Sequence, residues 1–247
     1  LTSVSLIGFA GRTVLVVGGS SGIGNGIARA FLDHGADVHV WGTRAEAADY
    51  ADEAGNDLGG LRYTRVDVTD AVAVAAQRSA FERLDVLVLS QGIVLYNRAE
   101  FEIDGFRRVV ETNLNSLMTC ATAFKPLLAA ARGSLIIVSS SAAFHATKGN
   151  PAYNASKTGA YGLTRTLGQA WAPEGIRVNG IAPGLVATKL TRVTTDHPKR
   201  AAAMLERIPL GRFGTCAEMG DVALFLASPL ASYVVGQTIC VDGGMVL

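Results

Sequence analysis

Charge is scarce in this 247-residue chain: Asp, Glu, Lys and Arg make up 17% of it and nearly cancel, leaving a formal net charge of +1. Counterion release on nucleic acid and attraction to an acidic bilayer both need concentrated basic charge, so neither partner is expected. Cysteine is scarce too. Cys120, Cys216 and Cys240 are an odd number in distant segments, with no CxxC or Cys/His spacing. That argues against a disulfide framework and against a metal site, and fits reduced thiols in a cytoplasmic protein. No apolar run approaches the ~20 residues of a membrane helix. Residues 1–8 lack a basic start, a long apolar stretch and a small-residue cleavage site, so they do not read as a secretory signal. Internal repeats, low-complexity tracts and long charge runs are also missing, and the stretch 55–60 reads only as a loop.

What is plentiful is apolar: 49% of the residues, enough for a large core and too much for disorder. A single α/β domain reaches this length and no composition shift marks a linker, so residues 1–247 are expected to form one domain. Short apolar runs at 13–17, 38–41, 61–66, 85–89, 134–139, 177–181 and 237–241 alternate with helix-length segments at 23–34, 44–54, 111–131, 153–172 and 216–227. Thr215 and Glu218 supply a capping pattern for the last of these. Runs rich in Val, Ile and Leu, rather than alternating with polar residues, suit a parallel sheet covered on both faces. The expected fold is α/β, a Rossmann-like doubly wound parallel sheet of seven strands with helices on both faces. Its ligand crevice would lie where strand order reverses, near strands one and four. Gly35 and Gly175 stand where helix ends call for left-handed residues.

Two motifs carry chemistry. Gly18-Gly19-Ser20-Ser21-Gly22-Ile23-Gly24 follows the first strand and opens a helix. Such a turn allows close backbone approach, and the helix N-terminus offers N–H groups to a pyrophosphate. Tyr153 and Lys157 sit one helical turn apart, on one face. A free phenol titrates near pH 10, and a neighbouring ammonium favours its ionised form, which makes the pair a candidate proton donor and acceptor.

Taken in order, these motifs resemble the short-chain dehydrogenase/reductase family over nearly the whole chain, from Gly11 to Gly244. The family's glycine turn matches Gly18, Gly22 and Gly24, with Ser20, Ser21 and Ile23 between them. Its adenine-contacting Asp matches Asp67 in Asp67-Val68, and its helix-four Asn matches Asn113. The family's serine lies thirteen residues before the tyrosine, which selects Ser140 from the run Ser139-Ser140-Ser141. Arg177-Val178-Asn179 followed by Pro183-Gly184 and Thr188 resembles the segment that flanks the nicotinamide. Two positions depart from the pattern: Val17 replaces the usual Thr, and Leu89-Ser90-Gln91-Gly92 keeps only the glycine of Asn-Asn-Ala-Gly.

The resemblance implies an NAD(P)-dependent alcohol dehydrogenase or carbonyl reductase acting on a small carbonyl or alcohol. Tyr153 would be its general acid/base and Lys157 would make the phenol more acidic and hold the nicotinamide ribose. Ser140 would bind the substrate oxygen, and Asn113 would position a water in a proton relay. At the end of strand two Gly42 replaces the Asp that selects NAD, while Thr43 and Arg44 could receive a 2′-phosphate, so NADP is expected ahead of NAD. Residues 189–210 occupy the place of the family's substrate lid. The family also implies a dimer or tetramer, with Ala155, Thr158, Gly159 and Gly162 on one contact face and residues 236–247 at a second. Two alternatives remain at this point: a dinucleotide sensor with a vestigial site, and an epimerase or dehydratase on the same fold.

Overall fold

In the computed structural model, residues 7–50 and 55–247 are described. The segment 1–8 read for a signal, and the 44–54 helix, therefore lie partly outside the described residues. Seven strands form where the apolar runs predict them: β1 (Thr13–Val17), β2 (Asp37–Gly42), β3 (Arg62–Arg65), β4 (Val86–Leu89), β5 (Ser134–Val138), β6 (Arg177–Pro183) and β7 (Thr238–Val241). All neighbours pair in parallel, in the order β3-β2-β1-β4-β5-β6-β7. Order therefore reverses between β1 and β4, and the carboxyl ends of those two strands diverge into a crevice.

The pleat divides each central strand between two cores. Leu15 and Val17 of β1, with Leu87 and Leu89 of β4, face one side; Val14 and Val16, with Val86 and Val88, face the other. The first side is covered by α2 (Ala71–Arg78), α4 (Ser116–Ala131) and α5 (Pro151–Trp171), which bring Val74, Phe124, Leu128 and Leu167. The second is covered by α1 (Gly22–Asp33) and α8 (Cys216–Ala227) through Ile27, Phe31, Met219 and Leu224. Each such side chain contributes about 1.5–3 kcal/mol on full burial. Helices α1 and α8 approach closely because a Cβ on Gly220 would lie 2.7 Å from Ala30 Cβ. No helix among the described residues is long and apolar enough to cross a membrane.

Gly35 and Gly175 have φ of +87° and +83°, as their positions after helices require. The pattern at Thr215 and Glu218 is a reciprocal capping box opening α8. Two features differ from the sequence reading, and a third adds detail to it. The 44–54 segment is not a helix as far as it is described. Only Ala47–Tyr50 forms a short 3₁₀ turn, because the Tyr50 hydroxyl turns back to accept the N–H groups of Thr43 and Arg44, both at 3.2 Å. The 111–131 helix is preceded by α3 (Ile103–Val110), and its first residues, Glu111–Asn115, form a π-turn before α4. Residues 189–210 carry two short helices, α6 (Arg192–Thr195) and α7 (Pro198–Leu205).

Candidate active site

The glycine turn leaves β1 through Gly18, whose φ of +76° brings it against the Gln91 backbone; an added Cβ would lie 2.9 Å from Gln91 N. Gly24 then passes so close that its Cβ would meet the Gly18 carbonyl oxygen at 2.2 Å. No other residue fits there without moving backbone. Ser21, the N-cap of α1, makes no side-chain capping bond, so the first turn of the helix presents its N–H groups outward. Gly22 N–H donates to Asn56 Oδ1 at 3.2 Å, while Ile23 and Gly24 open onto the adjoining cavity. That cavity holds about 610 Å³ and runs from this turn past Gly92 to Ser140, Tyr153 and Lys157, with Pro183, Gly184 and Thr188 on its far wall.

Helix α5 begins at Pro151, whose missing N–H costs nothing at a first helical position. One turn apart, Tyr153 and Lys157 both reach the cavity. Lys157 is 5% exposed; its Nζ donates to the Val138 carbonyl at 2.9 Å and lies 5.7 Å from the Tyr153 ring centre. Burial lowers its pKa to about 8. Of the three serines after β5, Ser140 lines the cavity near enough to the Tyr153 phenol to pull its pKa down, whereas Ser139 Oγ donates to the Lys157 carbonyl at 2.7 Å and Ser141 is buried.

One electrostatic expectation is corrected. Burial is the largest influence on the Tyr153 phenol and holds it above its ordinary value of 10; the Ser140 bond pulls the other way, and Tyr96 and Glu100 push it further up. The net direction is upward, against the lowering expected from Lys157, because burial disfavours the phenolate anion. Near neutrality the phenol is protonated and the ammonium still charged.

Asn113 sits in the π-turn, and the extra residue in that turn directs its side chain inward, where it is fully buried. Its Oδ1 accepts from Ile93 N–H at 2.8 Å, and its Nδ2 donates to Ile93 O at 2.9 Å and to Ser156 Oγ at 3.2 Å. It lies behind the cavity wall rather than on it. Asp67 is the other predicted residue that does not line the cavity: its carboxylate bonds the Thr69 hydroxyl and N–H, which hold it below the usual range, while the adjoining Val68 lines the wall. The Ser90-Gln91 departure keeps the strand tied to its surroundings by other means. Ser90 N–H donates to Val17 O at 2.9 Å, and buried Gln91 donates through Nε2 to Ser116 Oγ at 3.0 Å on α4.

At the far end of the cavity, a Cβ on Gly42 would lie 2.4 Å from Ser20 Oγ and 2.6 Å from the Tyr50 hydroxyl, so an aspartate has no room there. Thr43 and Arg44 line this end, with the Arg44 guanidinium stacked 4.4 Å from the Tyr50 ring centre. Three residues escaped the sequence reading: Tyr50, Tyr96 and Glu100. Tyr96 lines the cavity and its hydroxyl donates to the Leu190 carbonyl of the 189–210 segment. The partners of Tyr96 and Glu100 are distant in sequence, and no local pattern marks any of the three.

Residues 17–246 match the family model described as enoyl-(acyl carrier protein) reductase. A 3-oxoacyl-[acyl-carrier-protein] reductase of Chlamydia pneumoniae is 40% identical over 242 residues, covering 95% of this chain and 97% of the relative. The 2-dehydro-3-deoxy-D-gluconate 5-dehydrogenase of Bacillus subtilis is 36% identical over 243 residues, with 95% and 94% covered. Among solved structures, a gluconate 5-dehydrogenase from Burkholderia cenocepacia in complex with NADP and tartrate superposes with a TM-score of 0.88, at 30% identity, over 97% of this chain and 96% of that one.

Proposed function

The chain belongs to the short-chain dehydrogenase/reductase family, and from that membership we propose how its residues divide the work of moving a hydride between NADP or NAD and a carbonyl or secondary alcohol. The observation that carries this reading is the convergence of Ser140, Tyr153 and Lys157 in one cavity with the glycine turn. When bound, the nicotinamide supplies the hydride chemistry, and the protein supplies protons, orientation and charge. Gly18, Ser20, Ser21, Gly22, Ile23 and Gly24 receive the pyrophosphate against the outward N–H groups of α1. By family resemblance, Asp67 and Val68 would hold the adenine, Gly92 the ribose, and Pro183, Gly184 and Thr188 the nicotinamide.

In carbonyl reduction the protonated Tyr153 gives its proton to the substrate oxygen, and in alcohol oxidation it takes one back. Ser140 donates a hydrogen bond to the same oxygen, placing it against Tyr153 and stabilising the charge that develops. Lys157 grips the nicotinamide ribose and keeps a positive charge beside the phenol up to about pH 8. Asn113 fixes the backbone at Ile93 next to this group and positions a water behind it. Residues 189–210 form the substrate lid of a single domain spanning 1–247, and the Tyr96 bond to Leu190 latches it. Oxidation of NADPH, followed by absorbance against a panel of ketones that includes a sugar-acid ketone and a 3-oxoacyl thioester, tests this reading. A chain that binds NADPH and consumes none with any of them is a sensor instead.

NADP would be preferred to NAD because Gly42 brings no carboxylate to this end of the cavity and Arg44, which lines it, would meet a 2′-phosphate. Arg44→Ala should raise the KM for NADPH about tenfold or more and leave that for NADH within about twofold, consistent with loss of a charge-assisted bond worth ~1.5–3 kcal/mol. Equal changes for both cofactors would remove Arg44 from phosphate recognition.

The protein is proposed to be cytoplasmic and to assemble as a homotetramer. Ala155, Thr158 and Gly162 form an exposed small-residue stripe on α5, and the space at Gly162 is open. Gly159 does not belong to that stripe: a Cβ there would meet Leu114 at 2.7 Å, so it serves packing within the chain. Residues 236–247 supply the second face. Light scattering should give a mass near four chains of 25.7 kDa each; a mass of one chain rejects the assembly.

A further inference from the structure

Two carboxylates are buried among the described residues, Asp85 and Glu100. Asp85 lies at the amino end of β4 and meets Arg12 and Arg83, each at 2.7 Å. Glu100 is 1% exposed, lies beside the active site, and is held by three N–H donors from two segments, the loop that precedes it and the start of α5. Its Oε1 accepts from Leu95 N–H at 3.0 Å and from Asn150 Nδ2 at 3.2 Å; its Oε2 accepts from Tyr153 N–H at 2.8 Å.

Each bond answers a local need. Tyr153 is the third residue of α5, so its N–H has no partner within the helix, and the N-cap residue Asn150 makes no side-chain capping bond. Asn150 instead donates to Leu95 O at 3.1 Å and to Glu100. A carboxylate 53 residues earlier in the chain thus takes the place of a local cap at a helix end that favours negative charge. The loop between Leu95 and Glu100 contains Asn97 and Arg98 with φ of +57° and +61°, a conformation that side-chain-bearing residues adopt only when something else holds the chain. Glu100 holds it by binding the loop's own start.

We propose that Glu100 is a positioning residue: its carboxylate locks the start of α5 to the 95–100 loop, setting the Tyr153 phenol against Ser140 and the Tyr96 phenol against the lid. This rests on the reading of Tyr153 as the proton donor. Four groups act on that phenol: Lys157 lies over its ring from the same helix, Ser140 approaches it from the segment after β5, and Tyr96 and Glu100 raise it electrostatically from the loop after β4. The Glu100 carboxylate is one of the groups that push the phenol up, so its replacement by an amide makes the phenolate easier to form.

The test compares Glu100→Gln with Glu100→Asp and the unaltered protein. Gln keeps the volume, removes the charge and sets an N–H₂ against one of the three donors. Expected for Glu100→Gln are a loss of ~10–100-fold in kcat, the scale of a displacement of about 1 Å at a reacting group, with the Kd for NADPH unchanged within about twofold. The pH midpoint of alcohol oxidation should move to lower pH, because that direction needs the phenolate. Glu100→Asp should keep the midpoint and recover part of kcat. A Glu100→Gln protein with unaltered kcat and midpoint, whatever its melting temperature, overturns the proposal, as does a Glu100→Asp protein whose midpoint moves as far as that of Glu100→Gln. Failure of the underlying reading shows elsewhere, as a Tyr153→Phe protein that still turns over.

Discussion

Tyr153→Phe should lower kcat for carbonyl reduction by roughly 10²–10⁴-fold while the Kd for NADPH changes less than about threefold, the signature of a lost proton transfer rather than a lost binding contact. The substitution removes one oxygen and leaves the ring, so Lys157 keeps its place above it and its bond to Val138. Burial keeps this phenol protonated at neutrality, so the resting protein is poised to donate. Ser140 cannot replace it, because an aliphatic hydroxyl is a far weaker acid than a phenol. Stopped-flow and steady-state measurements on one ketone check the prediction, and a variant retaining most of its kcat rejects Tyr153 as the acid.

Gly24→Ala should have the second largest effect, and through binding. The added methyl would meet the Gly18 carbonyl at 2.2 Å, which no side-chain rotation relieves because both atoms are tied to backbone. Relief must come from the turn that aims the α1 N–H groups at the cavity. Overpacking of this kind costs about 1–3 kcal/mol, or about 2–4 °C of melting temperature per kcal/mol for a chain of this size. The Kd for NADPH should rise at least about tenfold, since the donors are displaced even where the fold survives. Fluorescence titration and thermal unfolding measure the two effects separately. A variant with both values unchanged contradicts the role given to the turn.

How much could be read from the sequence followed the range of each interaction. The central strands were legible because runs such as Val86–Leu89 are buried on both faces and carry an unbroken apolar signal, while the edge strands β3 and β7 are partly exposed. The pair Tyr153 and Lys157 was legible because four residues make a helical turn. Ser140 was legible only through family spacing, since Ser139 and Ser141 are chemically identical and only tertiary contacts separate them. The π-turn at Glu111–Asn115 left no local mark, although it turns Asn113 inward. Tyr50 and Glu100 were illegible for the same reason: one folds back on Thr43 and Arg44 from a segment that reads as helix, and the other caps a helix 53 residues away. The acidity of Tyr153 was misread because proximity of Lys157 can be inferred from spacing, whereas the burial that outweighs it cannot.

The most direct measurement is the fate of deuterium from NADPH labelled at nicotinamide C4, incubated with the protein and a reducible ketone and followed by mass spectrometry of the alcohol. Transfer of one deuterium to the carbinol carbon, in wild type and at a rate lowered by the Tyr153→Phe substitution, is what the account predicts. An alcohol that carries no label, or a labelled cofactor left intact with every ketone offered, contradicts it.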